Sequence, residues 1–302
     1  MPTGVGVILV TGATGNVGRN VVSELLIGGA AVRALTRSPE RAGLPERVEV
    51  VGGDLSKPDT VKAALVGEVE AVFLMWPFPT AKAAVPALEM IATHCRRIVY
   101  LSSLSVRDDL ERQLDPISGF HAEIERLIER SGMRWTILRP SGFATNTLVW
   151  APQIRTRGTV RWPYEAAKRS LIDERDIAAA AATVLRDSQH AGSKHALTGP
   201  RALSQSEQLH AIGEAIGRPL TYDEIPPDQA LQTLLRAWGI PKIAARLLPP
   251  RALPRRMADG ALAALGSMVT NPEPVTNTVE DLTGAPARTF HEWARAHADD
   301  FK

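Results

Sequence analysis

The sequence predicts an α/β fold: a doubly wound parallel sheet with a smaller, mainly helical C-terminal region. Three observations predict it. Short β-branched apolar runs alternate with segments of helical spacing through the first 200 residues. The first run passes straight into glycines at 12, 15 and 18, and a helical pattern follows. Beyond Gly199-Pro200 the alternation stops, and helical patterns punctuated by Pro226-Pro227, Pro249-Pro250 and Pro272 take over.

The elements follow in order. Val5 to Val10 reads as a strand buried on both faces. Val17 to Leu26 has helical spacing, ended by Gly28-Gly29. Ala31 to Thr36 is a second strand and Val48 to Val51 a third. Asp59 is placed to cap a helix over Val61 to Leu65, before a fourth strand from Val69 to Met75. Ala81 to Cys95 is a helix that Pro86 shortens or kinks, and Arg97 to Ser103 a fifth strand. Ala122 to Arg130 is helical, Trp135 to Arg139 a sixth strand, Ile177 to Leu185 an alanine-rich helix, and His195 to Thr198 a seventh strand. Ser204 with Glu207, and Thr289 with Glu292, are capping-box pairs that open two further helices. Phe290 and Trp293 read as packing anchors. The expected division is 1–200 for the nucleotide-binding domain, with 141–170 contributing to the substrate side, and 201–302 for a substrate-binding or cap region.

Composition narrows the class. A chain of 302 residues, 44% hydrophobic and 23% charged, has the make-up of a globular protein. A net charge of +2 with scattered Lys and Arg gives no nucleic-acid footprint. Cys95 is the only cysteine, which excludes an intrachain disulfide, and it has no partner at metal-ligand spacing, so no metal site is expected. No run reaches the roughly 18 apolar residues of a membrane span, and no basic-then-apolar leader opens the chain. The expectation is a cytoplasmic protein with a small-molecule partner and neither nucleic acid nor membrane.

The glycine run carries the chemistry. Gly12 permits a sharp turn at the strand end, Gly15 a close backbone approach to a pyrophosphate, and Gly18 close packing of helix on strand. The helix N-terminus then turns free N–H groups and a positive dipole end toward the phosphates. Thr14, Asn16 and Val17 complete this Rossmann-type cradle, and Trp76, after the fourth strand, is a further cofactor contact. Where an NAD site carries an acid after the second strand, this chain reads Leu35-Thr36-Arg37-Ser38. Arg37 offers a planar fork of donors to a 2′-phosphate, which puts NADP(H) ahead of NAD(H); Arg33 and Arg41 are placed to share or replace that role. Asp54 is placed either to accept from the adenine amino group or to cap a turn.

Several motifs then occur together in order: Thr11 to Gly18, Tyr100-Leu101-Ser102-Ser103, Ser131 to Pro140, Ile172 to Ala178, Leu197-Thr198-Gly199-Pro200 and Gly217-Arg218-Pro219. The set resembles the NmrA-like branch of the atypical short-chain dehydrogenase/reductases over most of the chain. The resemblance implies a Rossmann domain, a small C-terminal substrate region and usually NADP(H). It spans quinone, triphenylmethane dye, aromatic ether and isoflavone reductases, and regulators that sense the cofactor without turnover.

At the catalytic centre the chain departs from short-chain dehydrogenases that use Tyr-x-x-x-Lys, in which the lysine lowers the tyrosine pKa. The tyrosines stand at 100, 164 and 222, and the helix before the sixth strand has Ile117 and His121 where the pair belongs. The expectation is an oxidoreductase that lacks the pair. His121 reads either as a contact to the nicotinamide ribose or a proton donor of near-neutral pKa, or as a helix-start residue satisfied by backbone or Glu125. Ser103, with Ser102 before it, ends the fifth strand, where the family's nicotinamide face lies. Phe78, Phe143, Asn146, Trp150 and Tyr164 are the candidate substrate contacts, the aromatics lining an apolar pocket or simply packing the core. The reading is an NADPH-dependent oxidoreductase passing hydride to an aromatic, quinone-like or conjugated molecule. The alternative is a non-catalytic NADP(H)-sensing regulator of the NmrA type; a sugar epimerase, which leans on the missing tyrosine, stands third.

Overall fold

A computed structural model describes residues 6–231 and 253–302. Its centre is a seven-stranded parallel sheet. The strands are β1 (Val7–Thr11), β2 (Ala31–Thr36), β3 (Glu49–Gly52), β4 (Val69–Leu74), β5 (Arg97–Leu101) and β6 (Arg134–Pro140). Outside the sheet lie β7 (Thr159–Trp162) and β8 (Lys168–Arg169), and β9 (Ser193–Leu197) closes it in the order β3-β2-β1-β4-β5-β6-β9. The order reverses between β1 and β4, which opens a crevice at their carboxyl ends.

Both faces of the sheet are covered. α1 (Asn16–Ile27) lies on one face; α2 (Pro58–Ala64), α3 (Val85–His94) and α4 (Pro116–Glu129) lie on the other. α5 (Ala151–Arg157) belongs to the C-terminal region, and α6 (Glu174–Arg186) packs beside α1. Alternation along β1 shows why its sequence has no polar side: Ile8 and Val10 pack with α1 and α6, while Leu9 faces α2 and α3.

A third apolar cluster holds the C-terminal region, with Trp150, Ile154, Trp162, Leu209, Ile212 and Trp293 at its centre. The chain past 200 is not helix alone. β10 (Leu203–Ser204) pairs antiparallel with β8 before α7 (Gln205–Ile216), and β11 (Thr221–Glu224) pairs parallel with β7. Helices Leu253–Ser267, Thr278–Thr283 and Phe290–Ala296 follow. The last segments return to the sheet domain: Val279 is buried in the cluster of α1 and α6, and Arg288 pairs with buried Asp176 of α6. Glu174 accepts from Trp293 Nε1 at 3.1 Å and meets His297 Nε2 at 2.9 Å.

Local chemistry sets the boundaries. Both capping boxes form. Asp59 does not cap α2; Lys57 holds the cap position and Pro58, with φ preset for the first turn, starts the helix. Pro86 likewise stands in the first turn of α3, which begins at Val85 and so is shorter than the apolar pattern from Ala81. α4 starts earlier than its apolar pattern, because Asp115 Oδ1 accepts from the N–H groups of Ile117 and Ser118. β5 stops at Leu101, so Ser102 and Ser103 lie just beyond the strand. Pro249-Pro250 lies outside the described residues.

Candidate functional site

The crevice is built by the glycine loop. Met75 N donates to Thr11 Oγ1 at 2.8 Å, tying the ends of β1 and β4 together. Gly12 has φ +63°, and a Cβ there would strike the Met75 side chain. Gly15 N donates to Gly12 O at 2.9 Å, and a Cβ on Gly18 would strike that same carbonyl. α1 has no side-chain cap and no acidic residue in its first turn. Its leading N–H groups are therefore left for an anion. Thr14 and Asn16 are exposed around this end, and Val17 is buried. The loop fits a dinucleotide pyrophosphate. Arg19, which sequence reasoning passed over, braces it by donating to Thr14 O at 3.0 Å, Gly43 O at 2.9 Å and Ala42 O at 2.9 Å.

At the β2 end the structure separates the three arginines. Arg33 is spent on Glu49 at 2.8 Å and on the carbonyls of Ala64 and Val66. Arg37 is exposed past the strand, and Arg41 is exposed beside Glu40. Asp54, past β3, accepts from Ser56 N at 2.9 Å and Ser56 Oγ at 2.8 Å through Oδ1, so it holds a turn.

The β5 end carries a buried tyrosine beside a half-buried histidine. Tyr100 is fully buried, and its hydroxyl lies 2.7 Å from His121 Nδ1. If Nδ1 carried the proton, the tyrosine O–H would be buried without an acceptor among the described residues. Tyr100 therefore donates, Nδ1 accepts, and the proton of His121 sits on Nε2. Burial pushes the His121 pKa down to about 4. This corrects the expected near-neutral value: the ring is a neutral hydrogen-bond donor, and its partner is Tyr100 rather than Glu125. Burial also holds the Tyr100 hydroxyl protonated, well above its ordinary pKa.

Glu125, 2% exposed, is engaged elsewhere: it accepts from Ser102 Oγ and takes Arg139 at 3.0 and 2.6 Å. Arg139 also grips Asp108 with two bonds of 2.7 Å. Lys194 Nζ donates to Asp108 at 2.8 Å and pairs with Glu129 at 2.9 Å. This network pins the loop after β5 to β6 and β9. It also distinguishes the two serines: Ser102 turns inward, while Ser103 is partly exposed and bonded to Ser105 at 2.9 Å. A lone arginine in the apolar run of β6 was the sequence signal for such a network.

The candidate aromatics are spread over three apolar clusters. Trp76 and Phe78, both buried, meet edge to face at 5.1 Å, and Trp76 Nε1 donates to Thr80 O at 3.0 Å. Phe143 packs against the cluster of α1 and α6, with exposed Asn146 one turn beyond it. Trp150 is buried edge-on against Tyr222, and Tyr164 packs at the margin of the same C-terminal cluster. Tyr164 has φ +60°, unusual for a residue with a side chain, and its ring lies against Gly266. The Tyr-x-x-x-Lys spacing does recur in the chain, at Tyr164 and Lys168, which corrects the expectation that it is missing. Tyr164 sits in a turn and Lys168 on β8, so the two do not share a helix face.

A family model described as NAD(P)H-binding matches residues 12–188. A (4-alkanoyl-5-oxo-2,5-dihydrofuran-3-yl)methyl phosphate reductase of Streptomyces griseus subsp. griseus is 38% identical, over 97% of this chain and 99% of the relative. An NAD(P)H azoreductase of Xenophilus azovorans is 34% identical, over 97% and 99%. Among solved structures, an NADPH-dependent quinone oxidoreductase of Escherichia coli complexed with NADPH shares the fold at TM-score 0.75 and 21% identity, with 96% and 99% of the two chains covered. A Citrobacter sp. triphenylmethane reductase complexed with NADP(H) does so at 0.74 and 19%, with 96% and 99% covered. With the glycine cradle, the sheet order and a family match over residues 12–188, the chain belongs to the NAD(P)H-binding family, among the NmrA-like atypical short-chain dehydrogenase/reductases.

Proposed function

We propose that the protein is an NAD(P)H-dependent oxidoreductase that prefers NADPH and reduces a conjugated small molecule. The observation that carries this reading is an open dinucleotide cradle in a chain similar over nearly its whole length to two named reductases. An azo bond and an acyl-substituted dihydrofuranone are both π-systems able to take a hydride, which supports the substrate class. Arg37, exposed and without the carboxylate that occupies Arg33, supports the preference for NADPH.

The bound nicotinamide supplies the hydride. Gly12, Gly15 and Gly18 admit the pyrophosphate, Thr14 lies in the turn beside it, and Asn16 and Val17 start the helix that faces it. Asp54 and Trp76 are retained as candidate cofactor contacts. His121 offers its Nε2–H to the ribose or the acceptor, held in that tautomer by Tyr100. Ser103 orients the acceptor, while Phe143, Asn146, Trp150, Tyr164 and Phe78 bound the substrate side. With a His121 that stays neutral at physiological pH, the proton comes from water, and acceptors that delocalise the incoming charge are favoured.

NADPH oxidation with a panel of azo dyes, quinones and acyl dihydrofuranones tests the reading. Tight NADPH binding with no turnover of any acceptor overturns it and favours the cofactor-sensing regulator. Arg37→Ala should weaken NADPH more than NADH; equal losses reject the 2′-phosphate role.

A further inference from the structure

We propose that Arg169 forms an anion subsite beside the nicotinamide end, taking the oxyanion of a substrate that carries a phosphate or carboxylate group. The proposal rests on the oxidoreductase reading above and narrows its substrate class to anionic acceptors.

The first observation is position. Gly142 follows the carboxyl end of β6, and a Cβ on it would strike the Arg169 guanidinium and come within 2.9 Å of Leu171 Cδ2. The guanidinium thus lies directly over the backbone at the ligand end of the sheet. Leu171 belongs to the C-terminal cluster and Ile172 to the sheet cluster. Arg169 and Leu171 both cover Gly142, so Arg169 is on the side turned toward the C-terminal region, which is the expected substrate side.

The second observation is the missing counter-charge. The other buried or half-buried arginines among the described residues all have one: Arg33 pairs with Glu49, Arg97 with Glu70, Arg139 with Glu125, Arg175 with Asp173 and Arg288 with Asp176. Among the described residues Arg169 Nε is buried with no hydrogen-bond partner, and Arg169 makes no ion pair. Glu273, whose N–H donates to Lys168 O, turns its carboxylate to the Ser170 amide at 2.9 Å instead. Residues 1–5 and 232–252, outside the described set, contain no Asp or Glu. A guanidinium held partly out of water without an anion is unfavourable, and a bidentate oxyanion would relieve it.

The third consideration is which anion. β6 stands three strands from β1 in the sheet, about 14 Å at roughly 4.8 Å per strand. The pyrophosphate cradle at the end of β1 is thus out of reach of Arg169, and the 2′-phosphate position past β2 is farther still. The anion that meets Arg169 belongs to the substrate.

The test compares matched probes on wild type, Arg169→Gln and Arg169→Lys. Calorimetry of the NADP-loaded protein measures phenyl phosphate and benzoate against phenol. Turnover compares methyl red with its carboxylate-free parent azo dye. Wild type should bind the anions more tightly than phenol, and Arg169→Gln should cut that preference, and the ratio of kcat/KM for methyl red over its parent, by about tenfold or more. Arg169→Lys, which keeps the charge without the fork, should fall between. Losses confined to phenyl phosphate or to benzoate identify the group that is read. Unchanged preference in Arg169→Gln, with wild-type NADPH affinity confirming the fold, overturns the subsite. If Arg169→Gln fails to fold, an unchanged preference in Arg169→Lys overturns it. Anion binding through Arg169 without turnover of any acceptor in the panel of azo dyes, quinones and acyl dihydrofuranones keeps the subsite and removes the oxidoreductase reading; turnover with no anion preference does the reverse.

Discussion

Replacing Arg139 by methionine removes the centre of the network behind the β5 loop. Arg139 makes four bonds of 2.6 to 3.0 Å, two to Glu125 and two to Asp108. Glu125 is 2% exposed, so its carboxylate would be left buried, a loss of about 3–5 kcal/mol. Ser102 still donates to Glu125 and Lys194 Nζ stands 3.7 Å away, which offsets part of the loss and places the expectation near 3 kcal/mol. Asp108, largely exposed, adds little. In urea, with a slope of about 3 kcal/mol/M, the midpoint should fall by about 1 M. Replacing Glu125 by leucine in the same chain should recover most of that, because the buried charge is then gone. A single variant within 1 kcal/mol of wild type, roughly the scatter of such measurements, would refute the reasoning; so would a double variant as unstable as the two singles summed. The pH dependence carries a sign. Hydrogen bonds from Arg139, then Lys194, hold the Asp108 carboxyl well below the usual range. The stability it contributes is present above about pH 4 and is lost as pH falls below that. This acid-side slope should flatten in Arg139→Met.

Three outcomes concern the site and a fourth the buried thiol. His121 has a folded pKa of about 4 against an ordinary value of about 6.5, so turnover should show no histidine step between about pH 6 and 8; a step there that vanishes in His121→Ala contradicts the burial argument. Tyr100→Phe should cost about 1 kcal/mol in urea and lower kcat more than it raises KM, whereas a purely structural hydroxyl would leave kcat untouched. Gly18→Ala forces α1 off the Gly12 carbonyl and should lower NADPH affinity at least about tenfold while costing about 1–3 kcal/mol in stability, measured by fluorescence titration and urea unfolding. Burial raises the Cys95 thiol pKa, so a thiol reagent should label it only as fast as the protein opens.

The sheet was legible because most of its strands carry a short apolar run, broken only by single polar residues such as Arg33 in β2 and Glu70 in β4, and the cradle because only glycines satisfy its turn and its close contact of helix on strand. The strands that were missed are short or polar: β10 has two residues and β11 reads Thr221-Tyr222-Asp223-Glu224, with no apolar period to detect. Arg37 could be singled out from its place after β2, but removing Arg33 from contention needed the carbonyls of Ala64 and Val66, a contact across the fold. His121 was found by counting, yet its tautomer depends on Tyr100, twenty-one positions away. An arginine's lack of a partner, as at Arg169, leaves no trace in a linear pattern.

The return of the late chain to the sheet domain has a consequence for synthesis. Val279 joins the apolar cluster beside α6 and β9, and Trp293 and Arg288 secure the start of α6 through Glu174 and Asp176. A ribosome delivers these residues long after β9 has been made. The central sheet and its helices therefore wait, with an open seam along α6, for a segment they cannot yet contact. During that interval the nascent chain exposes apolar surface that a holding chaperone would recognise, and the cofactor, by binding the early glycine loop, is positioned to stabilise the unfinished sheet.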